Sequence, residues 1–245
     1  TLINISDSDL KQNAQNDGDD ILFTSSNGTL KLPHEVENYD NSTGHLTAHV
    51  KVLNMTNQSQ TSIFMYYGNS GASNQENASG VWSNGYEAVY HLDEEKAGTG
   101  NNGVYEDSTS NHNDGDDEVS DSGKEGVIYQ GQNFDGSDDY IDLGFENVVA
   151  DETFSISTWF HVDSSQYSTL VDTYDGSFPQ VSIQYNEGQT GLDYRLHGGS
   201  NLLKTSAGIL QKDVTYHVTG IRDGADSVLY LNGKEKDSNS KASLS

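Results

Sequence analysis

Thr153-Phe-Ser-Ile-Ser-Thr-Trp-Phe-His-Val162 alternates without a break, with Phe154, Ile156, Thr158 and Phe160 on one side and Trp159 and His161 on the other. Side chains of a strand point alternately to opposite faces, so a period of two reads as a strand with one buried face. The pattern recurs on both sides of this stretch. His45–Val52 places Leu46, Ala48, Val50 and Val52 on one face, and Ser62–Tyr67, Glu87–Leu92 and Val127–Gln130 are short apolar runs. Beyond it, Leu170–Thr173, Val181–Tyr185, Leu192–Leu196, Val214–Ile221 and Val228–Leu231 read as further strands. Asn232-Gly233 then supplies the two residues that tolerate positive φ in a tight hairpin. Helical signals occur once: Ser6 with Asp9 three residues on resembles a capping box and predicts a short helix over Asp7–Gln15. Many short strands parted by Gly, Asn and Asp predict an all-β chain of two β-sandwich (jelly-roll) domains.

The composition narrows what such a chain can bind. The 245 residues carry 38 Asp and Glu against 12 Lys and Arg, a formal charge of -26. Phosphate binding needs clustered cations that displace condensed counterions, so nucleic acid is excluded as a partner. No apolar run reaches the ~20 residues that span a bilayer, so no membrane insertion is expected in this segment. Zero Cys excludes disulfides and thiolate chemistry. The acidity fits a salt-adapted surface, on which self-repulsion is screened, or one partly neutralised by calcium.

Ser70–Gly85 is poor in apolar residues, which places a domain boundary near Gly85. Residues 1–84 hold 9 acids and 3 bases, whereas residues 85–245 hold 29 and 9, so the second segment carries the acidity. All six Asn-x-Ser/Thr sequons, at Asn4, Asn27, Asn41, Asn54, Asn57 and Asn77, lie in the first third. Such clustering fits glycosylation of an exported chain and an extracellular location.

Several stretches of residues 85–245 share one pattern. They are Gly85-Tyr-Glu-Ala-Val-Tyr-His-Leu92, Asp107-Ser-Thr-Ser-Asn-His-Asn-Asp-Gly115, Asn133-Phe-Asp-Gly-Ser-Asp-Asp-Tyr-Ile141, Phe154-Ser-Ile-Ser-Thr-Trp-Phe160, Tyr216-His-Val-Thr-Gly-Ile-Arg-Asp-Gly224 and Val228-Leu-Tyr-Leu-Asn-Gly233. In order and spacing they resemble the concanavalin A-like lectin/glucanase superfamily, in its laminin G-like or pentraxin-like jelly rolls. Tyr216 departs from that pattern, which usually has Trp before the His. Residues 1–84 resemble a domain of unknown function common in archaeal and bacterial surface proteins, through Asp17-Gly-Asp-Asp-Ile-Leu-Phe-Thr24, Leu32-Pro-His-Glu-Val-Glu37 and Ile63-Phe-Met-Tyr-Tyr-Gly-Asn69. The pairing implies a cell-surface protein and leaves the ligand open.

The resemblance to glucanases raises catalysis. A retaining glycosidase holds two carboxylates ~5–5.5 Å apart, and the nearest pattern here is Glu35-Val36-Glu37, with Asp40 beyond. It lies in the first domain and reads as a solvated strand face, so no catalytic residue is assigned. His45 and His49, four apart on a strand, have Cα atoms ~13 Å apart and cannot share a metal without a bend. Family jelly rolls can hold calcium in loops at one edge. Such a site is expected in the pair Asp107–Asp117 and Asp135–Asp142, with Asp107, Asn111, Asn113, Asp135, Asp138 and Asp139 as ligands. Asp and Asn also favour turns by bonding their own backbone. Trp159 reads as packing, and Trp82 receives no role. The polar run Lys236–Ser245 offers no further strand, so the jelly roll is expected to be incomplete at its C-terminus. Its missing strand would come from more of the polypeptide or from a neighbouring subunit. The expected function is a non-enzymatic extracellular module that binds a glycan or cell-surface component. The alternative is a structural subunit of a filament, sheath or viral appendage that contacts identical neighbouring subunits through sheet edges.

Overall fold

Each alternating stretch can bury one face and leave the other in water, and the ladders form where two such faces meet. The computed structural model describes the chain apart from residues 54, 56, 58–59, 95–99, 145–152, 164–167, 175–178, 187–189, 197–200 and 241–245. Over the described residues the protein is all-β with two short helices, and it divides into two units, Thr1–Gly144 and Phe145–Ser245.

The first unit runs β1 (Leu2–Ser6), α1 (Ser8–Asn13), β2 (Leu22–Ser25), β3 (Lys31–Leu32), β4 (His34–Asp40), β5 (His45–Val50) and β6 (Ile63–Tyr66). It continues with α2 (Ala78–Val81), β7 (Asp116–Glu118), β8 (Asp121–Glu125), β9 (Gln130–Asn133) and β10 (Tyr140–Asp142). Antiparallel sheets β1-β5-β4 and β3-β2-β6 enclose a core of Leu10, Ile21, Phe23, Leu32, Leu46, Ala48 and Val50. A smaller core gathers Val104, Tyr105 and Val119. The alternation of β5 accounts for three of the buried residues, since Leu46, Ala48 and Val50 are all fully enclosed. On β4 the ladder carries a bulge: Val36 pairs with Ala48 and Asn38 with Thr47, leaving Glu37 as the extra residue.

The second unit runs β11 (Thr153–Val162), β12 (Ser168–Tyr174), β13 (Pro179–Asn186), β14 (Gly191–Leu196), β15 (Asn201–Lys204), β16 (Val214–Asp223), β17 (Asp226–Leu231) and β18 (Lys234–Ser240). Two four-stranded antiparallel sheets result, β11-β16-β17-β18 and the consecutive meander β12-β13-β14-β15. Their inner faces share one core that includes Val181, Ile183, Tyr194, Leu196, Val218 and Leu229. The β17–β18 turn is Asn232-Gly233 with φ of 50 and 69, the positive pair that a tight two-residue hairpin requires.

Several expectations are corrected. The division falls after Gly144, not near Gly85. The Glu87–Leu92 stretch forms no ladder; the Asp107 carboxylate takes the Val89 N–H at 3.0 Å, and Ser108 N–H donates to Val89 O at 2.9 Å. Val127–Tyr129 is a bend, and the strand there begins at Gln130. Asp7, not Ser6, caps α1, because its carboxylate accepts the Asp9 N–H at 2.7 Å while Ser6 ends β1. The polar run after Gly233 does supply a strand, since β18 pairs with β17 from Leu231↔Lys234 to Asp226↔Ser240.

Gly220 lies on the inner face of β16, against the ring of the fully buried Tyr194. A Cβ there would sit 2.7 Å from Cε2 and 2.8 Å from Cζ of that ring. Gly220→Ala is therefore expected to cost ~1–3 kcal/mol by overpacking, read as a lower denaturation midpoint. In a Tyr194→Ala background the added penalty should vanish, and full additivity of the two changes would refute the contact as its cause.

Candidate functional site

Glu35 stands directly opposite His49 on β5, and Glu37, the bulged residue of β4, reaches the same side, since both carboxylates meet His91. The face is not solvated as expected, because two further segments of the first unit cover it. Glu76 accepts the Val36 N–H at 2.7 Å and Asn77 N–H donates to His34 O at 2.8 Å. These bonds seat α2, whose C-cap is Trp82. The segment carrying His91 is tied to the Asp107–Ser108 turn through Val89.

The result is a compact ionic cluster. His91 Nε2 lies 3.1 Å from Glu35 Oε2, and His91 Nδ1 lies 3.3 Å from Glu37 Oε2. The same Glu37 oxygen lies 2.7 Å from His49 Nε2. Glu35 also accepts from Ser108 Oγ at 2.6 Å and from the Trp82 indole N–H. Trp82 packs edgewise on Tyr86 and tilts against His49 and His91. Burial disfavours charge on His91, yet its bonds to Glu35 and Glu37 prevail and raise it to about 10. Burial likewise pushes Glu37 up, but the histidine bonds dominate and lower it to about 2. Glu35 is lowered by the same balance. Neither is the protonated carboxyl that a glycosidase general acid requires.

Beside the cluster lies a pocket of about 260 Å³ lined by Glu35, Val36, Glu37, His91, Asp93, Glu94, Glu106 and Ser108. Burial raises Asp93 and Glu94 above the usual carboxylate range. His45 and His49 do part company: His45 Nδ1 meets Ser6 Oγ at 3.0 Å, whereas His49 joins the cluster. The residues that sequence reading missed, His91 and Ser108, come from segments with no shared spacing motif.

The two loops expected to hold calcium differ. Asp107 is buried, and its two oxygens accept from the N–H groups of Val89, Thr109 and Asn113 and from the Thr109 hydroxyl, at 2.8–3.0 Å. Asn111 and Asn113 both turn their Nδ2 to Glu87 O, at 2.9 and 3.1 Å. These hydrogen bonds hold the turn together. The second loop brings Asp135, Asp138 and Asp139 together, with carboxylate oxygens within 4.8 Å of one another. Asp139 also holds Ser120 N–H and Oγ at 2.9 and 3.0 Å. Of the sequons, Asn4, Asn27, Asn41, Asn57 and Asn77 are exposed, and Asn54 lies outside the described residues. Asn27 and Asn77 use Oδ1 to accept local N–H groups, which leaves Nδ2 for a sugar.

In the second unit Trp159 is not packing: it is 50% exposed on the outer face of β11. Its strand partner His217 tilts against it with ring centroids 4.8 Å apart. His161 Nδ1 meets Thr215 Oγ1 at 2.9 Å, and the row Ser157, Thr219 and Tyr230 runs beside them in register. Burial lowers His217, which keeps the imidazole neutral at neutral pH.

Residues 17–106 match the model of the domain of unknown function DUF2341, and residues 135–244 match that of the concanavalin A-like lectin/glucanases superfamily. The chain thus carries a DUF2341 segment followed by a concanavalin A-like segment, in the order the resemblances imply. The first match extends past Gly85, and Gly85–Leu92 belongs to it rather than to the jelly roll. All of Glu35, Glu37, His49, Trp82 and His91 fall within it. A crystal structure of an S-layer domain-containing protein (residues 221–444) from Clostridium thermocellum ATCC 27405 is 22% identical. The match covers 64% of this chain and 73% of that chain, with a TM-score of 0.41. A comparison with curated proteins finds no match.

Asp107 lost to Asp107→Ala leaves several N–H groups without their acceptor, at an expected cost of ~2–4 kcal/mol. Its carboxyl is lowered, since backbone hydrogen bonds outweigh burial, so the unfolded chain takes up the proton first on acidification. The wild-type advantage over the variant should hold above the ordinary value of 3.8 and fade as pH falls through the lower folded value. Urea titrations at several pH values, with and without calcium, check this. A gap that appears only with calcium would return Asp107 to the role of ligand.

Proposed function

We propose that this chain is a non-catalytic module of a cell-surface protein, and that its concanavalin A-like unit binds saccharide on the face around Trp159. The observation that carries the reading is the half-exposed Trp159 against the ring of His217. An indole face stacks on the apolar face of a sugar ring, and the imidazole and hydroxyl groups around it offer both donors and acceptors. The net charge of -26 repels acidic glycans, so neutral saccharides are the class expected. The exposed sequons fit an exported chain, and no helix among the described residues is long and apolar enough to cross a membrane. Calcium belongs to the same reading at Asp135, Asp138 and Asp139, where three carboxylates converge.

On an array of neutral glycans the chain should bind, and Trp159→Ala should weaken the best ligand at least about tenfold, or 1.4 kcal/mol. The melting temperature should change little, because the side chain is half in water. Equal binding by the variant would sink the assignment. Absence of any glycan binding, with self-association of the purified chain, would move the reading to a structural subunit assembled through sheet edges.

Native mass spectrometry of the chain from its producing cells should show sugar mass on sequon peptides and one calcium ion that Asp139→Asn removes. Bare asparagines would count against export, and a calcium-free wild-type chain in millimolar calcium would reject the ion.

A further inference from the structure

We infer that Glu37, His49 and His91 of the first unit form a binding site for one divalent transition-metal ion of the zinc class. Three candidate ligand atoms converge there, Glu37 Oε2, His49 Nε2 and His91 Nδ1, all within 4.8 Å of one another. Zinc bonds of ~2.0–2.1 Å in a tetrahedron place ligand atoms about 3.3 Å apart. The Glu37–His91 separation is already 3.3 Å, and the Glu37–His49 hydrogen bond of 2.7 Å has to open by roughly half an ångström. Two imidazoles and one carboxylate suit zinc, cobalt or iron(II), whereas calcium and magnesium prefer an all-oxygen set. Three protein ligands leave a position for water or another oxygen donor.

The surroundings provide what a ligand histidine needs. His91 turns Nε2 to Glu35 at 3.1 Å, where it keeps its proton, and an incoming ion displaces the Nδ1 proton to solvent and takes the lone pair that faces Glu37. Glu35 is itself held by Ser108 Oγ and the Trp82 indole, so the imidazole is oriented from behind by an anchored carboxylate. The adjoining pocket supplies a way in, and five carboxylates line it, those of Glu35, Glu37, Asp93, Glu94 and Glu106. Among the described lining residues His91 alone can carry positive charge, so the field there draws cations inward. The ion would join β4, β5 and the His91 segment within one unit. It belongs to the first unit, whereas the saccharide face belongs to the second, and it does not depend on that reading.

The test uses the whole chain, stripped with a chelator and dialysed against zinc or cobalt(II). One ion per chain is expected, with a rise in melting temperature and with visible ligand-field absorption for cobalt. His49→Ala and His91→Ala should each abolish stoichiometric binding. Glu35→Gln, which leaves all three ligands in place, should weaken it about 10–100-fold. Asp139→Asn should leave it unchanged. X-ray absorption of the zinc-loaded wild type should show scattering from both imidazoles, and this holds even where a histidine variant fails to fold. An all-oxygen zinc shell, or stoichiometric binding that survives in folded His49→Ala, would overturn the site.

Discussion

Apolar surface is scarce in this protein, and that scarcity shapes everything else. Only 32% of its residues are hydrophobic, too few to cover both faces of every sheet. A sheet with one apolar face is stable only when a second sheet covers that face. The paired sheets of both units follow from this need. In the second unit Phe154, Ile156 and Phe160 line the core side of β11, and Trp159 and His161 are left on the outer side. Exposure of the tryptophan is thus a direct outcome of the strand period. Once the neighbours at even positions are committed to the core, the indole has no inward place to go.

The first unit meets the same scarcity differently. Its face at Glu35, Glu37 and His49 is covered by Trp82 and His91, and hydrogen bonds and opposite charges hold the cover in place. Burying carboxylates is costly unless each finds a partner. Here the partners are shared, with one imidazole serving two carboxylates and one carboxylate serving two imidazoles. The β4 bulge matters to this sharing, because the extra residue it inserts is Glu37.

The strands could be read from the sequence wherever alternation was long. Thr153–Val162 and the Asn232-Gly233 turn are found where the pattern places them. Reading was poorer where periodicity is short or polar. Glu87–Leu92 alternates enough to suggest a strand, but the Asp107 carboxylate takes the Val89 N–H that a ladder would have used. Lys234–Ser240 has no apolar residue and is still a strand, since a well-formed hairpin turn brings it beside β17. The ionic cluster was hidden for another reason. Its acidic pair was visible as Glu35-Val36-Glu37, yet His91 and Ser108 reach it through tertiary folding that no local spacing encodes. Asp107 stands out in the sequence by its charge, while the three N–H groups its carboxylate satisfies come from positions that no spacing motif links.

The sheet order of the second unit also bears on how the chain folds. Strands β12 to β15 join neighbours in sequence, so their pairing closes only short loops. The longest ladder, β11 with β16, spans the entire meander, from Thr153↔Asp223 to Val162↔Val214. Closing so long a loop costs entropy before any contact repays it, and topologies rich in such pairings fold slowly. The meander can therefore assemble on its own timescale while β11 waits, its apolar side bare, for β16 to leave the ribosome and come alongside. Until then that bare side is adhesive, and the serines and threonines spaced along β11 dilute its stickiness during the wait.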